Sequence, residues 1–310
     1  MILLDAWIKE KWRKGKLPVG LFLNVKSAYP AVHREKLVQV LTQKQAPDYI
    51  IAIIKSFFLT RYTEIKLDDF KSQMKLLEMG LPQGSPLSFT LYLLYNYKLI
   101  DADIGPVKSN WLLIGYIDDG THLVTAETML QTTKGMKNLG RRTIEWARKM
   151  GSEFTKKKTY FMLISRPKEE HRKMKFGEEF LNPSNSKRWL EIILDSKLTY
   201  AKHIEKITSR ADVSLAGINR ISINYLGICI KDTHTCIKEV LYTRILLGSV
   251  LWLKILTQNK VKPVFEKSYN REARMVMVSL NPTAPIFLKR DSELKSTLLT
   301  NIVQPHNMAC

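Results

Sequence analysis

Apolar positions first gather in Val19-Gly-Leu-Phe-Leu-Asn-Val25, bounded by Pro18 and by Lys26-Ser27. A run this short, without helical spacing, fits a buried strand. Residues 33 to 45 and 47 to 60 then carry helical patterns, the second beginning at Asp48 beside Pro47. Arg61 to Leu67 and Gln73 to Met79 form a pair of strands about Asp68-Asp69, and the breaker-rich Gly80-Leu-Pro-Gln-Gly-Ser-Pro86 separates them from a helix ending near Ile100. Trp111 to Tyr116 and Thr121 to Thr125 are apolar runs joined by Ile117-Asp-Asp-Gly120, which predicts a hairpin with two carboxylates at its tip. From Thr128 to Met150 the residues Met129, Met136, Leu139, Trp146 and Met150 keep a helical period, so these methionines are core, and Gly151 stands where a C-terminal cap belongs. Tyr160 to Ile164 and Arg188 to Leu194 predict two further strands, and residues 200 to 220 and 231 to 256 turn helical.

Strands and helices alternate first and a helical region follows, which is an α+β domain with a helical appendage. No internal repeat or low-complexity segment interrupts this order.

Charge changes the picture. Lys and Arg number 49 against 29 Asp and Glu, a net charge of +20. The excess is spread over Lys9 to Lys16, Lys156 to Lys158, Lys168 to Lys175 and Lys202 to Arg210, the footprint of a polyphosphate partner rather than of a compact targeting tag. The blander reading is a basic, soluble surface. The three cysteines, Cys229, Cys236 and Cys310, lack disulfide or zinc spacing and suit a reducing, intracellular compartment. No apolar run approaches the roughly 18 residues of a membrane span; Ile245 to Leu253 is broken by Gly248 and Ser249. With Asp5 and Glu10 the N-terminus makes a poor signal peptide, so the expectation is a soluble protein without a membrane partner, in nucleus or cytoplasm.

Nucleotidyl transfer needs two divalent cations about 4 Å apart, held by hard carboxylate oxygens. Asp118 and Asp119 are such a supply, although an Asp-Asp-Gly turn is most often only a turn.

The surroundings decide between these. The order Leu21-Phe-Leu-Asn-Val-Lys-Ser-Ala-Tyr29, Gly80-Leu-Pro-Gln-Gly-Ser-Pro-Leu-Ser88, Tyr116-Ile-Asp-Asp119, Gly151 through Phe154 to Lys158, and Trp189-Leu-Glu-Ile-Ile-Leu-Asp195 resembles the successive palm motifs of reverse transcriptases from non-LTR (LINE-type) retrotransposons, fungal elements in particular. The resemblance covers roughly residues 1 to 256 and more faintly the tail to about 300. It implies a right-hand polymerase palm, an antiparallel sheet with helices on one face, followed by a helical thumb. In this layout residues 1–18 are a remnant of fingers, 19–199 the palm, 200–256 the thumb and 257–310 a connector-like tail.

The resemblance also implies roles. Asp118 and Asp119 become the metal-binding pair for Mg2+ or Mn2+, and Tyr29 lies under the incoming sugar, where its ring would exclude a 2′-hydroxyl. Gln83 and Gly84 lie against nucleotide and template, and Lys158 near the leaving pyrophosphate. The implied partners are an RNA template, a DNA primer and a dNTP. Taken alone, Tyr29 reads as a core aromatic, Gln83 and Gly84 as loop, and Lys158 as one lysine of a solvated triplet.

One catalytic position departs from the pattern. Asn24 stands where the family's first palm motif has an aspartate that contacts both metals. An amide oxygen can ligate a cation but lacks the charge that offsets two of them. Pro30 replaces a frequent acid and Glu191 a usual glycine. Only 23 residues precede Asn24, so the grip on the triphosphate is expected to be missing, as are an endonuclease and an RNase H. The readings are therefore an RNA-directed DNA polymerase weakened or silenced at Asn24, a non-catalytic nucleic-acid-binding remnant of a decayed element, or a product that does not fold alone. An unrelated metal-dependent phosphohydrolase would leave the motif order unexplained. The site reading requires Asn24 and the Asp118-Asp119 hairpin on adjacent strands.

Overall fold

A central strand explains most of the architecture. In the computed structural model, which describes residues 1–59, 61–100, 110–164, 173–224, 235–236, 239 and 247–256, β1 (Leu17–Asn24) is buried at every position after the first. Two antiparallel neighbours account for this: β7 (Asp119–Ala126) on one side and β8 (Tyr160–Leu163) on the other. With β6 (Trp111–Tyr116) at the edge, the sheet runs β6-β7-β1-β8. A strand flanked on both sides reads as a continuous apolar run, as this one does.

Helices α4 (Pro86–Ile100) and α5 (Met129–Met150) pack on this sheet. Val19, Leu21 and Leu23 of β1 meet Met136 and Leu139 of α5 in one core. A second core joins α2 (Arg34–Gln43), α3 (Asp48–Phe58), α4 and the end of α5 around Leu37, Ile54, Tyr92 and Trp146. α5 begins at Thr128, whose hydroxyl accepts from Gln131 N at 3.3 Å, and ends at Gly151 with φ 71°. A Cβ at Gly151 would run into the His33 ring, so backbone conformation and space both require glycine there.

The strand pair about Asp68-Asp69 forms as two short ladders. β2 (Tyr62–Thr63) pairs with β5 (Lys75–Leu76), and β3 (Lys66–Leu67) with β4 (Phe70–Lys71). The second arm therefore starts at Phe70, earlier than the patterning predicts.

Arg188 to Leu194 is corrected from one strand to two. β11 (Ser186–Trp189) and β12 (Ile192–Asp195) form a hairpin whose turn residues, Leu190 and Glu191, have φ 46° and 67°. No glycine, asparagine or proline marks this turn, so apolar patterning runs straight through it. Two elements carry no strong signal: α1 (Ile2–Arg13), whose buried Leu4 and Ile8 sit among charged residues, and the hairpin of β9 (Met174–Phe176) with β10 (Glu179–Leu181).

Contacts divide the chain into a unit of Ala6–Asn185 and a unit formed by Met1–Asp5 with residues from Ser186 on. The second holds the β11–β12 hairpin, α6 (Ala201–Asn224) and α7 (Ser249–Leu256). Within it the Asp195 carboxylate accepts from the backbone N–H of Lys197, Thr199 and Tyr200, and the Tyr200 hydroxyl donates to Asp5 at 2.7 Å. Most of the helix expected over 231–256, the tail 257–310, Cys229 and Cys310 lie outside the described residues. The α+β class with an antiparallel sheet and packed helices is as expected, and among the described residues no helix is long and apolar enough to cross a membrane.

Candidate active site

The end of β1 meets the start of β7, and the β6–β7 turn closes beside them. Asn24 is the register partner of Asp119, and Tyr116 that of Asp119 on the other side, leaving a two-residue turn of Ile117 and Asp118. Val25 N donates to Asp118 O at 2.8 Å, which ties the turn to the chain leaving β1. Ile117 has φ 53°. Hairpin turns with positive φ at the first position ordinarily use glycine, and a β-branched residue there is an outlier. Ile117 holds that conformation while packed against the α2–α3–α4 core, so the carboxylate tip is anchored from behind.

Asn24 is 7% exposed. Its Nδ2 donates to Asp118 Oδ2 at 2.8 Å and to Asp119 Oδ1 at 3.0 Å. Both amide hydrogens are thus spent on two carboxylates, charge-assisted bonds of the stronger kind. An aspartate here would instead bring a third negative charge to the strand ends. Among the described residues no group of three or more acidic, histidine or cysteine side chains is placed to hold a metal. The donor set fits one Mg2+, which takes one or two carboxylates and keeps several waters. A second cation would call for a further carboxylate, which Asn24 does not supply.

Tyr29 follows β1 on a partly buried segment, and its carbonyl accepts from Leu81 N at 2.9 Å, while Gly80 N donates to Val32 O at 2.8 Å. These bonds bind the Gly80–Ser85 loop to the Tyr29 segment. Gly80 has φ 85°, and a Cβ on it would lie 2.9 Å from Pro30 O. Gln83 and Gly84 are exposed on the same loop just before α4, Gly84 with φ 95°.

Lys158 is exposed in the single turn Lys156–Lys158. That turn is held near β1, because Thr155 N donates to Asn24 O at 2.8 Å and Lys158 N to Thr155 O at 2.9 Å. Lys156 instead pairs with Glu179, whose hydrogen bond and charge raise its pKa. The three lysines are therefore not equivalent.

Patterning passes over four buried polar residues around this site. Tyr92 is 1% exposed on α4 and stacks on Tyr29 with ring centroids 5.0 Å apart and 34° between planes. Burial pushes its phenol pKa up, the Asn96 amide pulls it back and the charge of Asp118 adds to the rise. Ser88, Tyr92 and Asn96 recur at intervals of four on α4, all buried, a polar stripe that an apolar count hides. His122, wholly buried on β7, lies 3.3 Å from Thr143 Oγ1 of α5 and bonds the Leu99 backbone of α4. Burial lowers its pKa to about 4.

Residues 3–230 match the family described as reverse transcriptase (RNA-dependent DNA polymerase). The chain is 25% identical over 191 residues to the RNA-directed DNA polymerase from mobile element jockey of Drosophila melanogaster, covering 61% of this chain and 21% of that protein. It is 21% identical over 257 residues to the probable RNA-directed DNA polymerase from transposon X-element of the same fly, covering 83% and 28%. The chain thus spans about a quarter of the length of these relatives. Among solved structures, telomerase from Candida tropicalis in complex with a TWJ fragment of telomeric RNA aligns with a TM-score of 0.47 at 12% identity, over 99% of this chain and 50% of that one.

Proposed function

The chain belongs to the reverse transcriptase (RNA-dependent DNA polymerase) family, and from that premise we propose that it is the polymerase core of a non-LTR mobile element whose metal site is weakened by Asn24. The observation that carries this reading is the Asn24 amide, which donates to both Asp118 and Asp119 from the adjacent strand. Hydrogen bonds from a neutral amide to both carboxylates support a tip that lacks the third charge a pair of cations would call for.

In this reaction the 3′-hydroxyl of a primer attacks the α-phosphorus of a dNTP, forming the new phosphodiester and releasing pyrophosphate. A bound divalent cation supplies charge neutralisation and a more acidic hydroxyl. Asp118 and Asp119 would hold Mg2+ or Mn2+, with Asn24 offering a neutral amide in place of a charge. Tyr29 would lie under the sugar, Gln83 and Gly84 against nucleotide and template, and Lys158 beside the departing pyrophosphate. An RNA template and a DNA primer suit a chain of net charge +20.

Primer extension on an RNA template with Mg2+ or Mn2+ tests this, comparing the unaltered chain with Asn24→Asp and Asp118→Ala. Extension that rises in Asn24→Asp and vanishes in Asp118→Ala is the expected result. Should neither the unaltered chain nor Asn24→Asp extend a primer while both melt cooperatively, the polymerase reading fails and nucleic-acid binding alone is left.

A further inference from the structure

We infer that Tyr92 is a positioning residue for sugar selection: its ring, stacked under Tyr29 and fixed on α4 beside Asn96, holds the Tyr29 ring at the angle from which it meets the incoming nucleotide. This rests on the reading of Tyr29 as the ring beneath the sugar.

Tyr29 packs, partly buried, on the α2–α3–α4 core. It sits on an irregular stretch between β1 and α2, and the hydrogen bonds that anchor this stretch, from Leu81 N and Val32 N to Tyr29 O, hold backbone and not ring. Its ring meets that of Tyr92, 5.0 Å between centroids and tilted by 34°. A tilted pair at this distance is attractive beyond its buried area, by about 0.5–1.5 kcal/mol.

Tyr92 is the rigid partner of the two. It lies in the middle of a regular helix, 1% exposed, with Leu91 and Tyr95 buried beside it. Its hydroxyl makes no well-formed hydrogen bond, although the Asn96 amide, itself buried without one, is close enough one turn on to pull the phenol pKa down. Burying a phenol and an amide side by side costs free energy that two leucines would avoid. Packing alone does not call for them. Close packing in the middle of α4 is what holds the ring, and a positioning role needs only that the ring itself be kept.

The test substitutes Tyr92 in the full chain, with and without Asn24→Asp. Tyr92→Phe keeps the ring, whereas Tyr92→Met fills a similar space without one; Tyr92→Leu serves where Met does not fold. Two readouts are taken. The first is the 19F spectrum of chain labelled with 3-fluorotyrosine, in which the Tyr29 signal is identified by its loss in Tyr29→Phe. The second is the ratio of dNTP to rNTP incorporation in Asn24→Asp chain.

The expected result is a displaced, broadened Tyr29 signal in Tyr92→Met with the ratio reduced about two- to tenfold, the range of an aromatic pair, and near-parental values in Tyr92→Phe. An unmoved Tyr29 signal in a cooperatively melting Tyr92→Met overturns the proposal and leaves the polymerase reading intact. A moved signal with an unchanged ratio overturns the link to sugar selection. If no version extends a primer, the polymerase reading fails and sugar selection falls with it, while the Tyr29 signal still decides whether Tyr92 holds that ring.

Discussion

Asn24 faces Asp119 across the β1–β7 ladder, and its single amide nitrogen reaches that carboxylate at 3.0 Å and Asp118 at 2.8 Å. The strand ends are therefore internally satisfied by hydrogen bonds instead of depending on a cation.

Asn24→Asp should reverse this. Three carboxylates would meet at the strand ends, repelling one another until a cation arrives. Without metal the variant should melt below the parent, and Mg2+ should raise its Tm far more than the parent's. Its metal affinity should rise by at least the roughly 10–100-fold associated with losing a partner to a ligand. Equal Mg2+ responses in the two chains would contradict a metal site at this tip.

Glu191→Gly should stabilise the second unit. Leu190 and Glu191 both hold positive φ in a two-residue turn, a conformation that costs a side-chain-bearing residue about 1–2 kcal/mol. Glycine removes that cost at Glu191 but loses the exposed ion pair with Arg188, which contributes little in water. The net gain should be about 0.5–1 kcal/mol in denaturant melts. A destabilised Glu191→Gly would mean that the ion pair outweighs the backbone.

These two sites also mark what the sequence makes legible. The site hairpin is readable because its strands are apolar and its carboxylates stand at the tip, and the order of motifs carries Asn24 to the same strand ends. The turn at Leu190-Glu191 is hidden, because positive φ there is imposed by tertiary structure on residues that do not signal it. Tyr92 and Asn96 are hidden for another reason. A helix as rich in apolar residues as α4 is read by its apolar count, and two polar side chains within it look like noise until Tyr29 is seen against one of them. The helix α1 carries charges around a narrow buried stripe, which periodicity over so few residues does not resolve.

Stability should fall with acid through His122. Its ring is buried against α4 and α5, and its pKa in the folded chain is about 4, below the 6.5 of a free imidazole. A depressed histidine binds its proton more readily when unfolded, so its contribution is full above pH 6.5 and is lost as pH falls toward 4. Burial is the first cause, and the loss should be on the order of 3 kcal/mol across that window. His122→Gln keeps a donor for the Leu99 carbonyl and cannot titrate, so its Tm should change less between pH 7 and pH 4.5. Some slope should remain, because burial lowers the pKa of His203 as well. Identical pH dependence in parent and variant would show that His122 is not the acid-sensitive group.

Gly80 and Gly84 offer a matched comparison within one loop. Both hold positive φ, 85° and 95°, so alanine at either meets the same conformational penalty. They differ in space. A Cβ at Gly80 would stand 2.9 Å from Pro30 O and 3.1 Å from Pro30 Cα, both backbone atoms, whereas at Gly84 nothing lies within 4 Å. Pro30 cannot simply withdraw, because its neighbours are pinned by the bonds from Gly80 N to Val32 O and from Leu81 N to Tyr29 O. Gly84→Ala should therefore cost about 1–2 kcal/mol, the backbone penalty alone. Gly80→Ala should cost about 1–3 kcal/mol more, the range for forcing extra volume into a packed site. It should also disturb Tyr29, since relief of the clash has to move the segment that carries it. Urea melts of the two variants measure the difference, and equal losses would mean that the Gly80 loop does not approach Pro30 as closely as the geometry requires.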